Sequence, residues 1–131
     1  MSAYLWIALG SALGGAARYG VAGLFAAMLG PAFPWGTLAI NLSGSWLIGF
    51  FNTLSGTDGR VLVPVRIRQF VMIGICGGYT TFSAFSLETL TMLQRGSAPS
   101  AAAYVLASVM LCLGAVWFGH LLAARMNRLA P

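Results

Sequence analysis

The sequence predicts an all-α membrane protein with four transmembrane helices, the third of them broken, and three observations carry that reading. Of 131 residues 59% are hydrophobic and only 7% charged, with a mean hydropathy of +0.85, whereas a soluble domain carries about 25% charged residues. The apolar residues gather into four segments, approximately Tyr4 to Met28, Trp35 to Leu54, Phe70 to Leu93 and Ala101 to Ala124, each near the roughly 20 residues that a bilayer core demands. The links between them are short, so residues 1–131 read as a single membrane domain. Third, the run G-I-C-G-G-Y-T-T-F-S-A-F-S-L-E from Gly74 to Glu88 has no place in a continuous lipid-facing helix.

Segment one lacks the basic n-region of a cleavable signal and stays apolar past Gly14 and Gly15, so it is expected to remain as a helix. Its Gly10 and Gly14 have the spacing that lets membrane helices approach closely. Arg18 interrupts it. A charge inside an apolar run is a functional candidate, here for attracting anions or gating; snorkelling to the surface is the plainer alternative.

Leu29 to Pro34, with Gly30, Pro31 and Pro34, forms a tight turn. In segment two Thr37, Asn41 and Ser45 recur every four residues and make one polar stripe. Asn41 is costly in lipid and is expected to face protein or a wet path. A purely structural interhelical hydrogen bond would satisfy it as well.

The link Asn52 to Arg68 begins the basic end of the chain. The net charge of +5 comes from seven arginines and no lysine, set against Asp58 and Glu88. Arg60, Arg66, Arg68, Arg125 and Arg128 fall at helix ends or in loops, where they can meet lipid phosphates. This is membrane-surface charge and not a nucleic-acid patch.

In segment three, Gly74, Gly77 and Gly78 weaken a helix, and the hydroxyls of Thr80 and Thr81 compete for its backbone bonds. A break is expected around Cys76 to Thr80. Inside a membrane such a break survives only against protein, an ion or a wet cavity. Phe82 and Phe85 then share one helical face, with Ser83, Ser86 and Glu88 nearby. A kink with two core aromatics would also account for them. Glu88 reads as a proton carrier, a gate or a surface residue.

Segment four repeats the four-residue rhythm with Tyr104, Ser108 and Cys112, a second weakly polar stripe. Cys76 and Cys112 read as small apolar residues, and His120 as interfacial. There is no phosphate-binding loop, no cluster with metal-ligand spacing and no Ser/His/Asp set, which argues against an enzyme.

Three motifs, G-G-A-A-R-Y at Gly14 to Tyr19, G-T-L-A-I-N-L-S-G at Gly36 to Gly44 and G-G-Y-T-T-F-S-A-F-S-L-E at Gly77 to Glu88, resemble in order and spacing the Fluc, or CrcB, family of microbial fluoride channels. The resemblance covers nearly the whole chain. It implies an antiparallel homodimer of four-helix subunits in the bacterial plasma (inner) membrane, with two fluoride pores along the dimer interface. It implies that Phe82 and Phe85 line each pore, that Asn41 faces the anion near them, and that Thr81 and Ser83 belong to the same motif. Tyr104 and Ser108 would form the polar track of the fourth helix. Carbonyl oxygens of Gly77 and Thr80 would hold a structural sodium ion at the dimer interface. Ala84 stands where a hydroxyl residue is usual, and Cys112 where Ser or Thr is expected.

The physics is compatible with these implications. Fluoride is small and strongly hydrated, so a selective path must replace water with donors such as an amide and with the electropositive edges of aromatic rings. It must do so without trapping the ion. Export needs only an inside-negative potential, worth roughly 2.3 kcal/mol per charge per 100 mV. The arginines resist one part of the picture: their bias to one side favours a single orientation, while an antiparallel dimer requires both. Two other readings compete. A proton-coupled exporter of the small multidrug-resistance type would need an acid in the first helix, where this chain has Arg18. A non-conducting helper subunit would explain the glycine faces but not Asn41 or the Phe pair.

Overall fold

The computed structural model describes residues 2–57 and 59–128, and Asp58 lies outside them. These residues are all-helical, with no strand among them. The long elements are α1 (Ala3–Leu29), α2 (Trp35–Leu54), α3 (residues 65–79), α4 (Phe82–Gln94) and α5 (Ala98–Arg128). By length and composition, α1, the combined stretch Val65–Gln94 and α5 can each cross a membrane. The 20-residue α2 is not among these spans. The polar stripe that makes it interesting also dilutes its apolar character.

The turns follow local chemistry. Gly30 ends α1 at φ 75°, a conformation that a side chain disfavours. After α4, Gly96 also has φ 75°, its N–H bonds Leu93 C=O at 3.0 Å, and Ser97 N–H bonds Met92 C=O at 2.9 Å. That is the paired-bond cap which satisfies the last helical carbonyls. Pro99 sits in the first turn of α5, where its missing N–H costs nothing.

Glycines set the helix pairing. A methyl group at Gly10 would lie 2.9 Å from Gly74 Cα, and one at Gly74 would lie 2.8 Å from Gly10 Cα. The backbones of α1 and α3 therefore touch, as small residues allow in membrane packing. In α5, a methyl at Gly119 would lie 2.9 Å from Phe50 N, which places α2 and α5 in the same close relation. Leu38 of α2, Phe85 of α4 and Tyr104 of α5 form a buried cluster.

The irregularity in segment three lies elsewhere than its glycines suggest. Residues Phe70–Cys76 wind as a π-helix, and Gly77 keeps helical angles of φ −67° and ψ −36°. The extended residues are Thr80 (φ −78°, ψ 157°) and Thr81 (φ −151°, ψ 120°). The expected break at Cys76 to Thr80 therefore moves toward the C-terminus. Gly74 and Gly78 serve close packing, since a methyl at Gly78 would lie 2.8 Å from Ser11 Cα.

Arg68 also departs from its expected role at the lipid surface. Its guanidinium donates to Ser55 C=O at 2.8 Å, to Ser55 Oγ at 3.0 Å and to Asn52 Oδ1 at 2.5 Å. It thus caps the C-terminus of α2, where carbonyls lack helical donors and a cation is favoured.

Candidate functional site

Two extended residues in an apolar bundle expose backbone groups that need partners. Asn41 supplies them for Thr81. Its Nδ2 donates to Thr81 C=O at 3.0 Å, and its Oδ1 accepts from Thr81 N–H at 2.8 Å. Thr81 Oγ1 then caps α4 by accepting from Ala84 N–H at 3.2 Å, the bond that an N-cap threonine makes. Ser83 Oγ lies 3.2 Å from the same hydroxyl.

These bonds redirect two helical donors. In an unbroken helix Thr81 N–H would bond Gly77 C=O, and Ala84 N–H would bond Thr80 C=O. Here both donate to side-chain oxygens, which leaves the Gly77 and Thr80 carbonyls without their helical donors. Thr80 N–H and Oγ1 both bond Cys76 C=O, at 3.0 and 2.9 Å. A pair of uncommitted carbonyls fits a hard monovalent cation, which takes oxygen donors. No group of three or more His, Cys, Asp or Glu side chains gathers among the described residues.

A cavity of about 350 Å³ opens beside this interruption, and Asn41, Gly77, Thr80, Thr81, Phe82, Phe85, Ser108 and Cys112 are in its wall. The Phe82 and Phe85 rings lie 5.4 Å apart. Phe85 is 9% exposed and Phe82 78% exposed. Ser108 Oγ is buried without a hydrogen-bond partner.

One turn beyond Phe85, Glu88 Oε1 accepts from Thr37 Oγ1 at 2.6 Å and Oε2 accepts from Tyr104 OH at 2.7 Å. Tyr104 is fully buried, and its ring lies 5.2 Å from that of Phe85. Glu88 and Thr37 also face a second cavity, of about 380 Å³, that reaches Arg95 and the turn at Phe33. Aromatic and hydroxyl groups of α2, α4 and α5 thus run from one cavity toward the other. Arg18 stands apart: it is half-buried on α1 and lines neither cavity.

Thr37 belongs to this arrangement although only its place in the polar stripe marked it. The spacing of Thr37, Asn41 and Ser45 held the signal, since all three meet the α3–α4 region or its cavity. The Tyr79 hydroxyl was not legible in the same way. It donates to Ser43 Oγ at 3.0 Å, because the Ser43 proton is already given to Ala39 C=O at 2.7 Å.

Comparison with known proteins adds a family. Residues 5–120 match the model described as CrcB-like protein, Camphor Resistance (CrcB). A protein of Methylocella silvestris called fluoride-specific ion channel FluC is 54% identical over 126 residues, covering 96% of each chain. A Rhodospirillum rubrum protein of the same name is 56% identical over 124 residues, covering 95% of this chain and 96% of the relative. One from Opitutus terrae, also so named, is 52% identical over 129 residues and 98% of each chain.

Proposed function

The chain belongs to the CrcB-like family, and we propose that it is a fluoride-selective passive channel that lets fluoride leave the cytoplasm and so reduces its toxicity. Its relatives are ion channels by name, and it is a channel protein and not an enzyme. The observation that carries the proposal is their 52–56% identity to it over 95–98% of its length, with the same name in each.

The geometry supports a path along α4. Fluoride would pass Phe82 and Phe85, whose ring edges are weakly electropositive, beside the unpartnered Ser108 hydroxyl and the second Nδ2 proton of Asn41. Thr81 and Ser83 would shape the wall, and Tyr104 would support Phe85. Neutral donors suit conduction, because fixed positive charge would hold the ion too tightly. Arg18 would act only by attracting anions at a distance, and Glu88 by gating.

We further infer a homodimer of antiparallel subunits in the bacterial plasma membrane, with a pore on each side of the interface. An aromatic ring as exposed as Phe82, at the start of α4 and beside the interruption, leaves apolar area that a second copy can cover. A sodium ion between two copies would take the Gly77 and Thr80 carbonyls from each. It would supply no chemistry of transport, only a positive charge that satisfies oxygens otherwise costly to bury.

The test is fluoride efflux from liposomes holding the purified protein, driven by a potassium gradient with valinomycin, with chloride measured in parallel. Rapid fluoride release with little chloride is expected. Absence of release from correctly assembled protein would sink the channel reading.

A further inference from the structure

The arginines at the basic end of the chain are not used alike. Arg68 is spent on the end of α2, bonded to Ser55 and Asn52. Arg60, Arg125 and Arg128 are exposed, and hydrogen bonds bring the first of them to the other two. Arg60 N–H donates to Asn127 Oδ1 at 3.0 Å, and Asn127 Nδ2 donates to Thr53 C=O at 3.0 Å. The loop after α2 is thereby pinned to the last turn of α5. Across that bond, standard bond lengths put the Arg60 and Arg128 Cα atoms no more than about 12 Å apart, a gap that two long arginine stems can close. Arg125 lies three residues before Arg128, on the same face of α5. Of the chain's two carboxylates, Glu88 is held by Thr37 near the other end of α2, and Asp58 lies outside the described residues.

We propose that this patch is a site for an anionic phospholipid, with Arg60, Arg125 and Arg128 on its phosphate and an acyl chain laid along α5. A guanidinium fork matches phosphate oxygens in pairs. The apolar half of the site continues the same face of the helix. Leu113, Trp117 and Leu121 precede Arg125 at four-residue steps, and all three are exposed. Gly119 and Ala123, on the opposite side, are buried, and Gly119 packs on α2, so the Trp117 face turns away from the subunit's own core. By length and composition α5 can cross a membrane, which sets its basic last turn at the level of the headgroups. A free phosphate ion would use the arginines alone. An apolar stripe that ends in cations instead suits a molecule that is apolar below and anionic above.

The test reads lipid contact and needs no conduction. Purified full-length protein is reconstituted in phosphatidylcholine vesicles, and brominated phosphatidylglycerol replaces part of the lipid in rising mole fraction while tryptophan fluorescence is recorded. Bromine quenches a tryptophan that it touches, and the difference between native protein and Trp117→Phe isolates Trp117. Half-maximal quenching of Trp117 is expected at a mole fraction several-fold below that of brominated phosphatidylcholine. Arg60→Gln and Arg128→Gln should each raise that fraction about fivefold, the share of one surface arginine. Asn127→Ala removes no charge but releases the loop, and it should reproduce most of the Arg60→Gln shift. Arg66, exposed on α3, is the control, and Arg66→Gln should change little. Equal shifts for Arg66→Gln and Arg128→Gln would mean diffuse surface attraction and would overturn the site. Equal quenching by the anionic and the zwitterionic lipid would overturn it too, as would Asn127→Ala that binds as the native protein does. Displacement of the lipid by soluble glycerol phosphate at matched concentration would make a free anion the ligand and overturn the lipid assignment.

Discussion

Asn41 and Thr81 close a ring of two hydrogen bonds, side-chain amide to backbone amide, at 3.0 and 2.8 Å. The asparagine thus replaces the helical partners that an extended residue loses. Asn41→Ala would leave one N–H and one C=O unpaired in the bundle, at about 1–3 kcal/mol each. Asn41→Asp keeps the acceptor but sets a carboxylate oxygen against the Thr81 carbonyl. We expect both variants to unfold at lower temperature in detergent, with fluoride efflux reduced. An aspartate variant as stable as the native protein would show that the donor half of the ring is dispensable.

The two phenylalanines occupy different environments despite sharing a helical face. Phe85 packs in the core with Leu38 and Tyr104, while Phe82 is uncovered in a single subunit. Phe85→Ala should cost about 3–5 kcal/mol of stability, the usual range for emptying a buried aromatic position. Phe82→Ala should leave the subunit fold intact and act on efflux and dimer formation. Changing both to Ile keeps apolar volume, removes the ring edges and is expected to abolish fluoride release from protein that still elutes as a dimer.

Glu88 binds two hydroxyls from two other helices, so its effects should be coupled. Glu88→Gln replaces one carboxylate oxygen with a donor and disrupts one of the bonds to Thr37 and Tyr104. A double-mutant cycle with Thr37→Val should give an interaction energy of about 0.5–3 kcal/mol, the range for residues in one network. Strict additivity of the two thermal shifts would contradict the shared carboxylate.

Much of this arrangement was legible because membrane chemistry is restrictive. An asparagine, a glutamate and a run of threonines are conspicuous in apolar segments, and Asn41, Thr81 and Glu88 do engage across helices. The four-residue spacing of Thr37 and Asn41 placed them on one face, which contact with α4 and the Thr80–Thr81 interruption then uses. Position within the third segment was harder to read. Glycine permits both a break and a close approach, and only the packing of Gly74 and Gly78 on α1 decides between them. The Arg68 cap was hidden for a related reason. An arginine near a helix end looks the same in sequence whether it reaches lipid or folds back onto Asn52 and Ser55.

Substitutions at the glycines would also separate packing within the subunit from packing in the proposed dimer. Gly74→Ala would press a methyl against the Gly10 backbone, and backbone cannot move aside cheaply. It should lower subunit stability by roughly 1–3 kcal/mol, the cost of overpacking. At Gly15 a methyl group would meet nothing within 4 Å. Gly15→Ala should therefore leave the subunit fold unharmed or slightly firmer, since alanine favours helix by about 1 kcal/mol. If Gly15→Ala nevertheless lowers the dimer fraction in size-exclusion chromatography, that face of α1 meets a second copy.

The uncommitted carbonyls of Gly77 and Thr80 make a prediction that no side-chain substitution can test directly, so the ion itself must be varied. A cation that binds the folded dimer alone stabilises it in proportion to the logarithm of its concentration above its Kd, by about 2.7 kcal/mol at 100 times the Kd. Sodium should therefore raise the thermal midpoint of the purified protein, in the dimer proposed above, relative to an equal concentration of a large organic cation, with chloride held constant. Asn41→Ala offers a structural control. It removes the acceptor that draws Thr81 N–H away from the Gly77 carbonyl, so that N–H can turn back to the carbonyl, and the variant should blunt the sodium response as well as lower stability. A midpoint indifferent to sodium over a wide concentration range would show that these carbonyls are satisfied by protein or water instead.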